Sequence, residues 1–276
     1  MSLNLDNFVL VYSHTSHPGN LGSIARAAKN MGIKNIRLVN PQADKADPAA
    51  QANAAGATDT LAQMTIYPDM ASALADCQLV FATSARHRAL NPLIVAPSQV
   101  VQIAKQDLTS QEQQQAKIAI LFGTESSGLS NDELLLGHYH VVIDANPDYT
   151  SLNLAMATLL LCYEIRQQVN NLNRQEHDLV LSSVNSDNHQ NDQAQKSFID
   201  PNNDLNANLE KAELASMEDY HKYFQRLEDY YTQIGFIQHS MVIPRLKLLY
   251  MRAKLTKKEI DLLQGMLSAS IKNTAK

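Results

Sequence analysis

Short runs rich in β-branched and aromatic residues recur at 8–12, 35–39, 78–83, 117–122 and 140–143, and between them lie alanine-rich stretches of helical character. This alternation is the strongest constraint on the fold, because strands separated by helices pair in parallel and bury both faces of their sheet. Helices are expected over 20–31, 48–55, 69–77, 97–106, 131–136 and 151–168. The reading is an α/β domain over 1–168, with a mostly parallel sheet and helices on both faces. Such sheets bind ligands beyond the carboxyl ends of their strands. Here those ends are 14–20, 83–88, 123–128 and 144–151.

After this domain the character of the chain changes. Residues 169–218 are polar, and the stretch 167–219 holds ten acidic residues against three basic ones. So few apolar groups predict a loosely ordered acidic linker. Residues 219–276 read as a small helical hairpin that forms a basic C-terminal extension. Tyr220, Phe224, Leu227, Tyr231 and Ile234 follow helical spacing, and Gly235 is placed to end that helix. Residues 244–276 carry eight basic residues against Glu259 and Asp261. That surface is either a solvated helix face or a phosphate-contacting one.

Bulk charge does not make the chain a polycation, since its net charge is −5. Two cysteines, Cys77 and Cys162, lie far apart in sequence, which argues against a disulfide scaffold or a cysteine zinc site. No HExxH or HxxxH pattern suggests a metal centre. No apolar run approaches membrane-spanning length, and the start of the chain lacks the pattern of a secretory signal. The expectation is a cytoplasmic protein with no metal and no membrane partner.

Three motifs carry candidate chemistry. The first, Pro18-Gly19-Asn20-Leu21-Gly22 with Arg26, follows the first strand. Asn20 is a plausible N-cap and Gly32 a C-terminal stop. Gly22, Ser23, Ala25, Ala27 and Ala28 make a thin helix that something can approach closely. Arg26 lies about 160° round the helix from Ile24, so it is either a surface arginine or a substrate contact. The second motif, Gly123-Thr124-Glu125-Ser126-Ser127-Gly128-Leu129, is a strand-end loop. Its carboxylate either shapes the loop or holds a ligand, and Ser130 with Glu133 forms a capping box. The third, Tyr149-Thr150-Ser151-Leu152-Asn153-Leu154-Ala155, leads into a helix. It reads either as a cap or as a ligand seat of backbone and hydroxyl groups. His14 and His17 flank the first motif as loop residues or RNA contacts.

Together the three motifs resemble the SPOUT superfamily of methyltransferases. Thr83-Ser84-Ala85-Arg86 and His138-Tyr139-His140 narrow the resemblance to its branch of TrmJ-type tRNA ribose 2′-O-methyltransferases. It spans about residues 8–168, with a weaker match near Gly235-Phe236-Ile237. The resemblance implies a C-terminal trefoil knot and a homodimer. It implies S-adenosylmethionine bound by Thr83, Ser84, Ala85, Gly123, Ile143, Thr150, Ser151 and Leu152. It also implies methylation of the ribose 2′-hydroxyl of nucleotide 32, cytidine or uridine, in the tRNA anticodon loop. The alternatives are rRNA, another tRNA position, or a catalytically silent RNA-binding dimer.

Under this resemblance Arg26 and Ser151 are the expected catalytic residues. Arg26 reaches the cofactor of the other subunit. A guanidinium rarely deprotonates, so it is expected to hold phosphate and stabilise developing alkoxide charge, with Ser151 or a water relaying the proton. Asn20, Glu125 and Asn153 support the loops. The branch often carries a basic residue where Thr124 stands, which shifts expected RNA contact to Arg86, Arg88 or Lys29.

Overall fold

The protein is described by a computed structural model covering residues 3–84, 93–109, 111–186, 213–237 and 241–274. Among these residues the β-branched runs form seven parallel strands: β1 (Phe8–Ser13), β2 (Asn35–Val39), β3 (Thr65–Tyr67), β4 (Cys77–Thr83), β5 (Ile94–Val95), β6 (Lys117–Phe122) and β7 (Tyr139–Val141). Their order across the sheet is β3-β2-β1-β6-β4-β7-β5. Two strands, β3 and β5, escape a reading by pattern because three and two residues are too few to show a period. The last predicted strand stops at Val141 rather than at 143.

Every residue of β1 is buried, and its alternation assigns each side chain to a face. Phe8, Leu10 and Tyr12 join one core layer. Over that layer lie the helices α1 (Pro18–Met31), α2 (Pro48–Ala54), α3 (Thr58–Gln63), α5 (Val100–Asp107) and α8 (Leu154–Ser186). Val9 and Val11 join the opposite layer. It is covered by α4 (Met70–Leu74), α7 (Asn131–Leu134) and the C-terminal helices. The remaining short helix, α6, spans Glu112–Gln115.

The thin face of α1 has a structural cause. A Cβ on Gly22 would lie 2.1 Å from the carbonyl oxygen of Ala50 in α2, so any side chain there would force the two helices apart. The start of α1 differs from expectation. It begins at Pro18 with His17 as its cap, and the Asn20 side chain is directed elsewhere. Proline at the first position already presets φ and has no N–H to satisfy. Gly32 closes α1 in the left-handed conformation, φ 78°.

Helix α8 continues to Ser186, well past the predicted end at 168, with Val169 buried in the core layer that α8 covers. The segment 187–212 lies outside the described residues. Among the described residues the tail holds three helices rather than a hairpin, Met217–Gln233, Val242–Ala253 and Lys257–Thr274. Tyr220, Phe224, Leu227, Met251 and Ile260 are buried with Val9, Val11 and Val80 of the sheet. Lys254 breaks the last two helices apart in a left-handed conformation, φ 50°. Its ammonium is held there by Asp107 at 2.6 Å and by the Tyr139 hydroxyl at 3.0 Å.

Candidate functional site

Loops from the carboxyl ends of β4, β6 and β7 surround a cleft of about 200 Å³. Thr83, Ser84, Gly123 and Ile143 line it, as do Thr150, Ser151 and Leu152. Seven of the residues picked out for cofactor binding are therefore brought together. Ala85, the eighth, lies outside the described residues, as do Arg86 and Arg88.

Each wall has a local reason. The Thr83 hydroxyl donates to the carbonyl of Leu121 at 2.9 Å, and the Ser84 N–H donates to that of Val141 at 3.0 Å. These bonds fix the end of β4 between β6 and β7. The second motif folds as a tight hairpin in which Thr124 and Gly128 exchange both backbone hydrogen bonds, at 3.2 and 3.0 Å. Gly128 takes the left-handed conformation at φ 69°. A Cβ on Gly123 would lie 2.0 Å from the carbonyl carbon of Gly128, so only glycine lets the hairpin close. Thr124 closes that hairpin, and its hydroxyl pairs with the Ser127 hydroxyl at 2.9 Å.

One chain of hydrogen bonds ties the three motifs. The Glu125 carboxylate accepts from the backbone N–H of Ser16 and of His17, each at 3.2 Å. It also accepts from the Ser16 hydroxyl and the Asn20 amide, each at 3.1 Å. Burial pulls this carboxyl up, but the Asn20 amide and nearby backbone N–H groups outweigh it and hold the group below its ordinary value. The Asn20 oxygen in turn accepts from the Asn153 amide at 3.2 Å. The Asn153 oxygen caps α8 by accepting from the Ala155 N–H at 2.8 Å. Glu125 does the positional work expected of a cap on α1, from a loop more than a hundred residues away.

Arg26 is exposed on α1 and, among the described residues, has no hydrogen-bond or ion-pair partner. It does not line the cleft. Lys29, expected to contact RNA, is engaged with Asp59 at 2.7 Å and with the Gly56 carbonyl at 3.0 Å. His138 is structural. It is buried, its Nδ1 accepts from the Val80 N–H at 3.1 Å, and burial pushes its pKa down to about 4.

The sequence reading missed several contacts around the site. Tyr12 stacks on Phe122 with centroids 4.8 Å apart, and its hydroxyl pairs with that of Thr158 at 2.8 Å. Ser13 bonds both His14 and the Glu133 carboxylate. The strand-end residues Phe122 and Val141 also line the cleft, with Leu154 at the start of α8. The signal for the first two was their place at strand ends, which core burial also explains. Among the described residues no group of three or more histidine, cysteine or acidic side chains could hold a metal. No described helix is long and apolar enough to cross a membrane.

Residues 7–163 match the model of the SpoU rRNA Methylase family. The chain belongs to the SpoU methylase family. Residues 218–276 match a second model, that of the C-terminal domain of the tRNA methyltransferase TrmJ. A SpoU relative from Yersinia pestis strain Pestoides F is 38% identical over 96% of this chain and 91% of that protein. It is described as tRNA (cytidine/uridine-2′-O-)-methyltransferase TrmJ. An uncharacterized tRNA/rRNA methyltransferase from Haemophilus influenzae is also 38% identical, over 96% of this chain and 95% of its own. The crystal structure of TrmJ from Z. mobilis ZM4 superimposes with a TM-score of 0.73 at 25% identity, covering 95% of this chain and 97% of that one. These relatives place the chain in the TrmJ branch of the SpoU methylases.

Proposed function

We propose that this chain is a tRNA ribose 2′-O-methyltransferase that uses S-adenosylmethionine and acts on nucleotide 32 of the anticodon loop, as a cytoplasmic homodimer. The observation that carries this reading is the convergence of three strand-end loops on one cleft, tied by the chain Glu125–Asn20–Asn153. The chemistry of the lining fits the cofactor. Ser84, Thr150 and Ser151 offer hydroxyls and backbone groups for a polar amino-acid tail, while Phe122, Ile143 and Leu152 offer apolar surface for an adenine ring. The knotted path implied by the resemblance runs through these same loops. When bound, S-adenosylmethionine supplies a methyl group on a positively charged sulfur.

The residues of the chain do the rest. The cleft fixes the donor, so alignment with the ribose oxygen supplies much of the rate. Arg26 is free to hold a phosphate next to the target ribose and to stabilise negative charge growing on its 2′-oxygen. Ser151, exposed at the cleft, relays the proton. Because Arg26 stands apart from the cleft of its own subunit, the reading assigns it to the cleft of the other. Helix α8 supports this arrangement. It starts at the cleft, packs beside α1, and exposes Met156, Leu159, Leu160 and Tyr163 along one stripe. Apolar residues at that spacing need a covering surface.

Arg26→Ala tests the assignment. The expected result is a fall in kcat of about a hundredfold or more, with binding of S-adenosylmethionine by calorimetry unchanged. Full turnover in this variant would remove Arg26 from the mechanism.

A further inference from the structure

The Thr124–Gly128 hairpin has a second side. There a broader cleft of about 650 Å³ opens over the carboxyl ends of β1, β2 and β3. The hairpin is the wall it shares with the cofactor cleft. Val39, Pro68, Met70 and Leu129 give it apolar sides, and His14 and Asp69 stand in its lining. Nothing in the function described above uses this space.

Its chemistry selects one kind of occupant. The lining contains two carboxylates, Asp69 and Glu133, and neither lysine nor arginine, so it repels phosphate. Glu133 is already occupied by Ser13 and by the Ser130 N–H at 2.7 Å. Asp69 gives one oxygen to the Ser72 N–H at 2.7 Å. The Ser72 side chain and the Ala71 N–H also bear on this carboxylate and His221 lies near it, but a carboxylate offers about four lone-pair sites, so Asp69 keeps acceptor capacity at the cleft. The His14 ring is anchored through Nδ1 to the Ser13 hydroxyl at 2.8 Å. Its backbone is held in a left-handed conformation, φ 50°, by an N–H bond to the Val39 carbonyl at 2.9 Å. Non-glycine residues in this conformation are uncommon and concentrate at functional sites. An apolar slot with an anchored ring and a carboxylate acceptor suits a flat heterocycle bearing an exocyclic amino group.

We propose that this cleft holds an unpaired nucleobase of the RNA substrate, one that neighbours the target ribose, by stacking on His14 and donating its amino group to Asp69. The proposal rests on the reading of the chain as an RNA ribose methyltransferase. The hairpin then separates the donor cleft from a base-holding cleft, and holding a neighbouring base would fix the ribose between them.

Zero-length ultraviolet crosslinking of the full-length chain to unmodified tRNA transcripts, with the adducts mapped by mass, tests the cleft without needing turnover. The expected adducts fall on His14 or Met70. His14→Asn keeps a residue that tolerates the left-handed conformation but removes the imidazole ring, and Asp69→Asn keeps the cap on α4. Each should raise KM for tRNA roughly tenfold while KM for S-adenosylmethionine stays at its wild-type value. Adducts confined to other segments, together with wild-type KM for tRNA in both variants, would overturn the proposal, as a cleft serving a protein partner would require. Crosslinks at His14 or Met70 in a chain that transfers no methyl group to tRNA would keep the cleft and overturn the activity instead.

Discussion

Glu125 collects donors from Ser16, His17 and Asn20, so its removal hands two backbone N–H groups, a hydroxyl and an amide back to water. Glu125→Ala is expected to cost about 1 kcal/mol of stability, read by urea unfolding, and to weaken binding of S-adenosylmethionine. Its pH dependence has a fixed sign. The folded carboxyl is held below its ordinary value, so its contribution is complete above the ordinary carboxylate range. That contribution is lost as pH falls through the folded value. Glu125→Gln should remove this acid sensitivity. The residue itself was legible as a loop carboxylate in a distinctive motif. Its partners were not, because they lie more than a hundred positions away and only the fold brings them near. Asn20 shows the same limit. Local rules make it a cap for α1, and tertiary contacts recruit it to Glu125 and Asn153 instead.

Among the elements, those with a clear period were legible and those fixed by a neighbour were not. The long strands β1, β2, β4 and β6 follow from their apolar runs. The short edges β3 and β5 depend on pairing with β2 and β7. The break at Lys254 is also tertiary, since neither glycine nor proline marks it and Asp107 with Tyr139 holds it. Strand β7 carries its own prediction. His138, the residue just before it, is buried and its backbone N–H donates to the Val80 carbonyl at 2.9 Å. Burial lowers its pKa from 6.5 to about 4, so between those values the unfolded chain binds a proton that the folded chain refuses. Stability from this residue is therefore full above pH 6.5 and is lost as pH falls toward 4. The loss amounts to about 3 kcal/mol. Urea unfolding of wild type and His138→Asn at both ends of that range should show the slope in wild type and its loss in the variant.

At the scale of the whole molecule, the catalytic layer and the tail form a continuous structure, because the tail helices cover one face of the sheet. Under the proposed function Arg26 reaches the cofactor of a second subunit, and the exposed apolar stripe on α8 is the surface proposed to meet that subunit. Leu160→Glu combined with Tyr163→Glu should therefore give a folded monomer by sedimentation, with methyl transfer lost. A variant that stays monomeric and active would place Arg26 over its own cleft. The central claim is tested most directly by transferring labelled methyl groups from S-adenosylmethionine to unmodified total tRNA and mapping the modified nucleotide. Ribose methylation at nucleotide 32, abolished by Arg26→Ala, is the predicted result. Label on a base, at another nucleotide, or on rRNA alone would contradict it.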